Sequence, residues 1–148
     1  MKVLFKSLVR LSFITVSAYA ASAFAQEESS SLPPVQSQDQ TQYLTGGVGE
    51  DESKAILQAA NSWPLTLELS KAAAPRAEYI SDVQITIKDK SGKTVLDMTA
   101  DGPYVLVKLP PGKYSLDAAF ESKTLHRNIT LQKGGSKRVS LMWPATLE

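Results

Sequence analysis

The sequence contains no cysteine and only one histidine among its 148 residues. The absence of cysteine excludes disulfide bonds, thiolate zinc sites and cysteine nucleophiles. A single histidine excludes every metal or catalytic site that needs two imidazoles. The formal net charge is only +1, so no charge excess indicates a nucleic acid or an anionic surface as partner. Apolar residues make up 43% of the chain, which favours one packed domain over a disordered chain.

The first 25 residues have the pattern of a secretory signal peptide. Three basic residues and no acidic residue precede a short apolar run at 11–20, and Ala23-Phe24-Ala25 follows with small residues at both recognition positions. We expect cleavage after Ala25 and a periplasmic or secreted protein, because the signal resembles bacterial ones. The alternative, an N-terminal membrane anchor, is disfavoured because the run is shorter than the ~20 residues that span a bilayer. Cleavage changes the formal net charge from +1 to −2.

Two segments precede the predicted β domain. Residues 26–42 are rich in Gln, Ser and Pro with two aliphatic side chains, which predicts a flexible leader. Residues 43–62 form a Gly-rich segment followed by a short helix, with acidic residues at 50–52 that complement the helix dipole. Apolar residues at Ile56, Leu57 and Ala60 share one helix face, and Pro64 prevents the helix from continuing.

From residue 63 the period of the apolar residues changes to two. This alternation predicts seven strands, at residues 63–70, 83–88, 95–99, 104–109, 114–120, 124–131 and 139–143. Short strands separated by turns, with one peripheral helix, predict an all-β fold, and parallel βαβ units are disfavoured. We expect a seven-stranded antiparallel β-sandwich with Greek-key connections over residues 63–143, followed by a tail at 144–148. The strand at 104–109 is the most uniformly apolar, so it should lie centrally.

Pro110, Pro111 and Gly112 end the central strand. In a type II turn the second residue has the φ that proline fixes, and the third residue needs a positive φ, which glycine adopts easily. Proline in the second position and glycine in the third therefore predict such a turn here. We therefore expect these residues to form a structural turn.

The stretch from Val83 to Leu116 resembles the carboxypeptidase regulatory-like domain, a family of transthyretin-like (prealbumin-like) sandwiches. The resemblance is carried by V-x-I-x-I, D-x-x-G-K-T-V, T-A-D-G-P-Y-V and L-P-P-G-K-Y-S-L in this order. Its most recognisable step comprises Leu109, Pro111, Gly112 and Tyr114. The resemblance implies a sandwich over about residues 63–143 in a small exported bacterial protein, and it implies little about function because such domains occur on many exported proteins.

The sequence contains no complete catalytic or metal-binding motif. His126 has no second histidine for a zinc site and no G-x-S-x-G motif for a serine triad, so we interpret it as a solvated strand residue. The glycines at 46–49 lack the G-K-[ST] of a phosphate loop, and the acids at 50–52 lack the alternating spacing of a calcium loop. We expect no enzyme activity, no cofactor and no resident metal.

Aromatic side chains suggest an alternative function, the binding of a carbohydrate or another small ligand. Trp63, Tyr104, Tyr114 and Trp143 are candidates for a ligand-stacking surface, although strand parity favours core packing for most of them. Lys133, Lys137 and Arg138 form a basic loop that we interpret as edge protection. The leading hypothesis is a non-enzymatic exported module that makes protein contacts in the envelope, as a monomer or weak oligomer; the alternative is a carbohydrate- or small-ligand-binding module. The partner, an envelope protein or a glycan, is not identified by the sequence.

Overall fold

The computed structural model describes residues 31–145. The expected signal peptide at 1–25, the first residues of the expected leader at 26–30 and the last three residues of the tail lie outside the described residues. Within 31–145 the chain forms one α-helix, a 3-10 turn and ten strands. Their bounds in chain order are β1 Gln36–Gln38, β2 Thr41–Gly46, α1 Glu50–Ala59, the 3-10 turn Ala60–Ser62, β3 Leu65–Lys71, β4 Glu78–Tyr79, β5 Gln84–Asp89, β6 Thr94–Thr99, β7 Tyr104–Lys108, β8 Gly112–Phe120, β9 Lys123–Leu131 and β10 Lys137–Trp143.

The strands form two sheets. The larger sheet has the order β1-β2-β7-β3-β10, with the short β4 paired to β3, and the smaller sheet has the order β6-β5-β8-β9. All pairs are antiparallel except β10 and β3, which are parallel from Lys137 opposite Leu65 to Trp143 opposite Lys71. The chain passes between the sheets after β4, β6, β7 and β9. The architecture is an all-β sandwich with one helix.

The sandwich differs from the expectation in strand number and in pairing. Ten strands are present in the described residues rather than seven, and the sheet is not wholly antiparallel. Each of the seven expected strands coincides with an observed one, and β7 lies centrally as expected. The three additional strands, β1, β2 and β4, have no sustained apolar alternation, so the pattern that found the others did not reveal them.

The second half of the expected leader is ordered as strand. β1 pairs with β2 through a hairpin at Asp39 and Gln40, and β2 pairs with β7 over Gln42–Gly46. Polar side chains hold β1 in place: the Tyr43 hydroxyl donates to Gln36 Oε1 at 3.1 Å. Hydrogen bonds to the sheet therefore replace the apolar burial that this segment lacks.

The main core fills the space between the two sheets. Alternate residues of β3 (Leu65, Leu67 and Leu69) are fully buried, and they face alternate residues of β5 and β8 across the layer. Trp143 at the end of β10 belongs to the same cluster. This is the inward alternation that the sequence predicted, and packed inner faces of this kind lie about 10 Å apart.

A second core lies on the outer face of the larger sheet, beneath α1. Ile56 and Ala60 of the helix segment pack against Leu44 and Leu106, with Trp63 and Tyr104 completing the cluster. β2 and β7 are therefore covered on both faces, which explains why the predicted strand at 104–109 is uniformly apolar.

The Gly-rich segment joins α1 to the end of β2. A side chain at Gly102 would collide with the backbone of Gly46, and one at Gly47 would collide with the Tyr104 ring. Gly47 donates its N–H to Glu52 Oε1 at 2.6 Å and accepts from the Ser53 hydroxyl at 2.6 Å. These contacts dock the helix N-terminus on the sheet, so the segment has a structural role.

The Pro-Pro-Gly segment does not form the expected type II turn. It carries the chain from β7 in one sheet to β8 in the other, and Gly112 is the first residue of β8 with φ 157°. The third position of a type II turn needs φ near +80°. The bend is closed instead by the Tyr114 hydroxyl, which donates to the Pro110 carbonyl at 2.6 Å, and burial raises the pKa of Tyr114.

Candidate functional site

The aromatic side chains expected as a stacking surface are buried. Trp63, Tyr104 and Trp143 expose 6%, 4% and 2% of their surface. Trp143 donates from Nε1 to the Lys123 carbonyl at 2.9 Å, and Lys108 Nζ covers the Trp63 ring at 4.8 Å from its centroid. Burial also raises the pKa of the Tyr104 hydroxyl. These side chains belong to the two cores, so the carbohydrate-binding alternative loses the residues on which it depended.

His126 lies on the outer face of the smaller sheet. Its Nδ1 is 2.6 Å from Asp117 Oδ1 on the neighbouring strand, and both side chains are about half exposed. Among the described residues, no serine or threonine hydroxyl forms a hydrogen bond with His126. A triad needs a nucleophile bonded to its base, so this pair is a polar contact between strands.

The acidic residues at the start of α1 serve the helix. Glu50 pairs with Lys54 one turn later at 2.5 Å, and Glu52 accepts from the Gly47 N–H. In the part of the chain that the structure describes, no group of three or more His, Asp and Glu side chains is placed to hold a metal ion.

A small apolar patch is exposed on the outer face of the larger sheet. Tyr79 and Met142 are 60% and 53% exposed and lie on either side of Ser70 in the sheet register. Tyr79 also borders a cleft of about 500 Å³ with Val48, which is 69% exposed. We call Val48, Tyr79 and Met142 the outer patch.

One lateral side of the sandwich, formed by β1 and β6, is closed by a side chain. Gln38 Nε2 donates to the Asp97 carbonyl at 2.8 Å, and the Asp97 N–H donates to Gln38 Oε1 at 2.6 Å. The amide of Gln38 thus pairs with the backbone groups of β6 that face away from β5. The edge of β1 itself is only three residues long.

The opposite side, formed by β9 and β10, is bridged at one end, where Trp143 donates to the Lys123 carbonyl, and is open along the rest of β9. β8 and β9 are joined by the two-residue loop Glu121-Ser122, with Phe120 paired to Lys123. In such a hairpin the pair next to the loop is hydrogen-bonded, and the pairs alternate from there. The backbone N–H and C=O groups of alternate residues of β9 therefore point away from β8, and these residues are Thr124, His126, Asn128 and Thr130.

β10 contributes a second, shorter edge. Lys137 donates its N–H to the Pro64 carbonyl, and the Trp143 carbonyl accepts from Ala72. In a parallel pair, bonded residues alternate with residues whose groups face outward. The outward groups of β10 therefore belong to Arg138, Ser140 and Met142. β9, with nine residues, offers the longer continuous edge.

The open side is basic. The side chains of five Lys and Arg residues are exposed there, and they are Lys123, Arg127, Lys133, Lys137 and Arg138. Within residues 31–145 the ion pairs are Lys54–Glu50 and His126–Asp117, so none of the five is paired with a carboxylate. Arg127 instead donates from Nη1 to the His126 carbonyl at 2.8 Å, which by the hairpin alternation is one of the outward groups.

Only part of this site is visible in the sequence. The basic loop at 133–138 is visible in the sequence, but only the strand order of the folded sheet places β9 at an edge. One available signal was the absence of acidic residues from 122 to 147, next to the alternating polar residues of β9.

Among the described residues, no helix is both long and apolar enough to cross a membrane.

No family model matches the chain, and no curated protein matches it. The minor pilin GBS52 of the Gram-positive pathogen Streptococcus agalactiae aligns with 58% of this chain and 47% of its own, at 13% identity and a TM-score of 0.46. The Bacillus anthracis TIE protein aligns with 54% of this chain and 16% of its own, at 17% identity and a TM-score of 0.36. The chain thus spans less than half the length of each of these proteins. Likenesses at this level carry no information on its activity or partners.

Proposed function

We propose that this protein is a non-enzymatic, exported β-sandwich module that binds other proteins in the bacterial periplasm or cell envelope, by accepting an extended segment along β9. The observation that carries the proposal is the edge of β9, where the hairpin register directs both backbone groups of four residues outward. Of these groups, the His126 carbonyl accepts a hydrogen bond from Arg127 of the same strand. An extended segment that adds to such an edge gains main-chain hydrogen bonds, which supply affinity for many partners.

The other edges are less suited to this role. β1 is three residues long, and Gln38 occupies the outward groups of β6 at Asp97. β10 is shorter than β9 and has fewer outward residues. Proteins commonly block or shorten the edges that they do not use. The contrast between one closed side and one open side therefore supports β9 as the contact edge.

Export and fold kinship complete the proposal. The pattern of residues 1–25 supports cleavage after Ala25 and delivery across the bacterial inner membrane. We infer further that the sandwich is of the prealbumin-like kind that the Val83–Leu116 pattern resembles. The presence of all seven expected strands, arranged in two packed sheets, supports this kinship.

The test uses proline variants of the two edges. Asn128→Pro removes an outward N–H from β9, and Ser140→Pro removes one from β10. Proline is tolerated at edge positions whose N–H faces solvent, so both variants should fold. Heptapeptides from a displayed random library are selected on the full-length chain, and their binding to the two variants is compared.

We expect the selected peptides to be rich in strand-forming residues and to shift the backbone amide NMR signals of Thr124, His126, Asn128 and Thr130. We expect Asn128→Pro to weaken binding at least tenfold and Ser140→Pro to leave it unchanged. Selection of peptides that shift the outer patch or β10 instead would move the contact site away from β9. A library that yields no binder would refute the contact function itself.

A further inference from the structure

The open side is suited to one kind of occupant. Resting on the proposed function, we propose that the segment accepted by β9 is an acidic one, with carboxylate side chains that face the exposed Lys and Arg residues of the open side. Charge complementarity between the two sides of an interface selects partners and raises association rates.

Charge in this chain is segregated along the sequence. Residues 31–121 carry 12 acidic and 8 basic residues, whereas residues 122–145 carry 5 basic residues and no acidic one. Since residues 123–131 and 137–143 are β9 and β10, the segregation in sequence becomes a segregation in space. The five basic residues of this segment lie along the open side, where the neighbouring strands contribute the carboxylates of Asp117, bonded to His126, and Glu68, opposite Ser140.

Three of these basic residues have an inward strand parity but exposed side chains. In β9, Lys123 and Arg127 have the strand parity of Leu125, which packs between the sheets. In β10, Lys137 has the parity of Leu141, which lies in the same layer. All three basic side chains are nevertheless exposed, so their charges border the gap between the two edges. Lys123 and Arg127 are four residues apart, or about 13 Å along a strand. Glutamates four residues apart on an added strand have the same spacing.

The same charges argue against a second copy of this chain as the occupant. Pairing of β9 with β9 would place Lys123 and Arg127 of one copy near the same residues of another. Like charges opposite each other destabilise strand pairs, and basic residues on an edge are a known protection against self-pairing. An acidic segment turns this repulsion into attraction, while a basic or neutral segment does not.

The experiment compares three peptides of one backbone. The first is acetyl-Thr-Glu-Thr-Val-Thr-Glu-Thr-Val-amide, and in the others both glutamates are replaced by glutamine or by lysine. We expect the glutamate peptide to bind the full-length chain at least about fivefold more tightly than the glutamine peptide at ~50 mM salt. The lysine peptide should bind more weakly still. The differences should shrink at ~500 mM salt, because exposed charges are then screened.

Charge reversal supplies the decisive variant. The double variant Lys123→Glu with Arg127→Glu should reverse the order, so that the lysine peptide binds best. Lys90→Glu with Lys93→Glu is the matched control, because it changes the net charge equally at exposed positions of the β5–β6 loop, on the other side of the smaller sheet from β9. This control should keep the original order. Melting temperatures of both variants verify that they fold.

The outcomes separate this inference from the proposed function. Equal binding of all three peptides, with NMR shifts at β9, would overturn the acidic preference and leave the edge function in place. Absence of shifts at β9 with any peptide would overturn the edge function. Binding of short heparin fragments that Asn128→Pro does not weaken, without peptide binding, would show an anion-binding surface and overturn both.

Discussion

Replacement of Gly102 by alanine tests the close approach between β2 and the loop that precedes β7. The added Cβ would lie less than 3.0 Å from Gly46 Cα, and its nearest neighbours are backbone atoms, which cannot rotate away. Gly46 is itself held by its pairing with Tyr104 in the sheet. The loop must therefore move as a whole, and with it the Asp101 N–H, which donates to Thr45 Oγ1 at 3.0 Å.

The magnitude follows from the costs of overpacking. Extra atoms in a well-packed site cost about 1–3 kcal/mol, and the added loss of a hydrogen bond costs about 1 kcal/mol. We expect Gly102→Ala to lower the free energy of unfolding by about 3 kcal/mol, or roughly 10 °C in melting temperature. Urea unfolding followed by tryptophan fluorescence is a suitable assay, because Trp63 and Trp143 report on the two separate cores.

The control is Gly92→Ala, in the loop between β5 and β6. Gly92 has φ 83° with open space around it, so alanine there meets only backbone strain, of about 1 kcal/mol. A Gly102→Ala protein that is as stable as the native chain, or more stable, would refute the close approach. Equal losses at both positions would show that conformation rather than contact decides the effect.

Three further predictions concern other parts of the fold. Glu121→Gly should raise the free energy of unfolding by up to about 1 kcal/mol, because Glu121 has φ 53° in the β8–β9 hairpin. Ser122 does not have a positive φ, so Ser122→Gly should lower the free energy of unfolding in the same urea assay. Gln38→Ala should lower the free energy of unfolding by about 1 kcal/mol and speed hydrogen exchange at the Asp97 amide of β6, which Gln38 accepts from. Unchanged exchange at this amide would contradict the closure of this side by Gln38. The Ser91 hydroxyl donates a hydrogen bond to Asp89 and is the largest cause that holds the pKa of Asp89 below its ordinary 3.8. The stability that ionised Asp89 adds is therefore present above this pH and is lost as the pH falls below it. Asp89→Asn should flatten the acid limb of a stability–pH profile, and an unchanged limb would contradict this.

Period-two alternation was sufficient to predict the inner faces of the sandwich. Leu65, Leu67 and Leu69 are buried as their spacing indicates, because side-chain direction in a strand is a local property. The same parity rule placed Trp143 in this core, where it lies. Trp63 has the parity of Leu65 and is buried, but it packs in the second core on the outer face of the larger sheet, because it precedes the first residue of β3. The helix was predictable for a similar reason, since its acidic start and its apolar face are local patterns.

Features that depend on distant contacts were not predictable. β1 has no apolar pattern, and its place is fixed by Gln38, which bonds to Asp97 59 residues away. The parallel pairing of β10 with β3 depends on the path of the chain through the other sheet, which no short window contains. At Gly112 a local pattern gave a wrong prediction. The Pro-Gly sequence predicted a type II turn, but the chain crosses from one sheet to the other here and Gly112 is extended.

The candidate site combines both kinds of information. The basic character of residues 122–145 is visible in the sequence, where the simplest interpretation is a solubilising surface. Its other interpretation, selection of an acidic partner, requires that β9 is an edge and that its free backbone groups lie beside the charges. Edge protection and partner selection use the same residues, because a charge that repels a second copy attracts a strand of opposite sign. The reversed order of peptide binding in the Lys123→Glu, Arg127→Glu variant distinguishes the two, since a purely protective edge would bind none of the peptides.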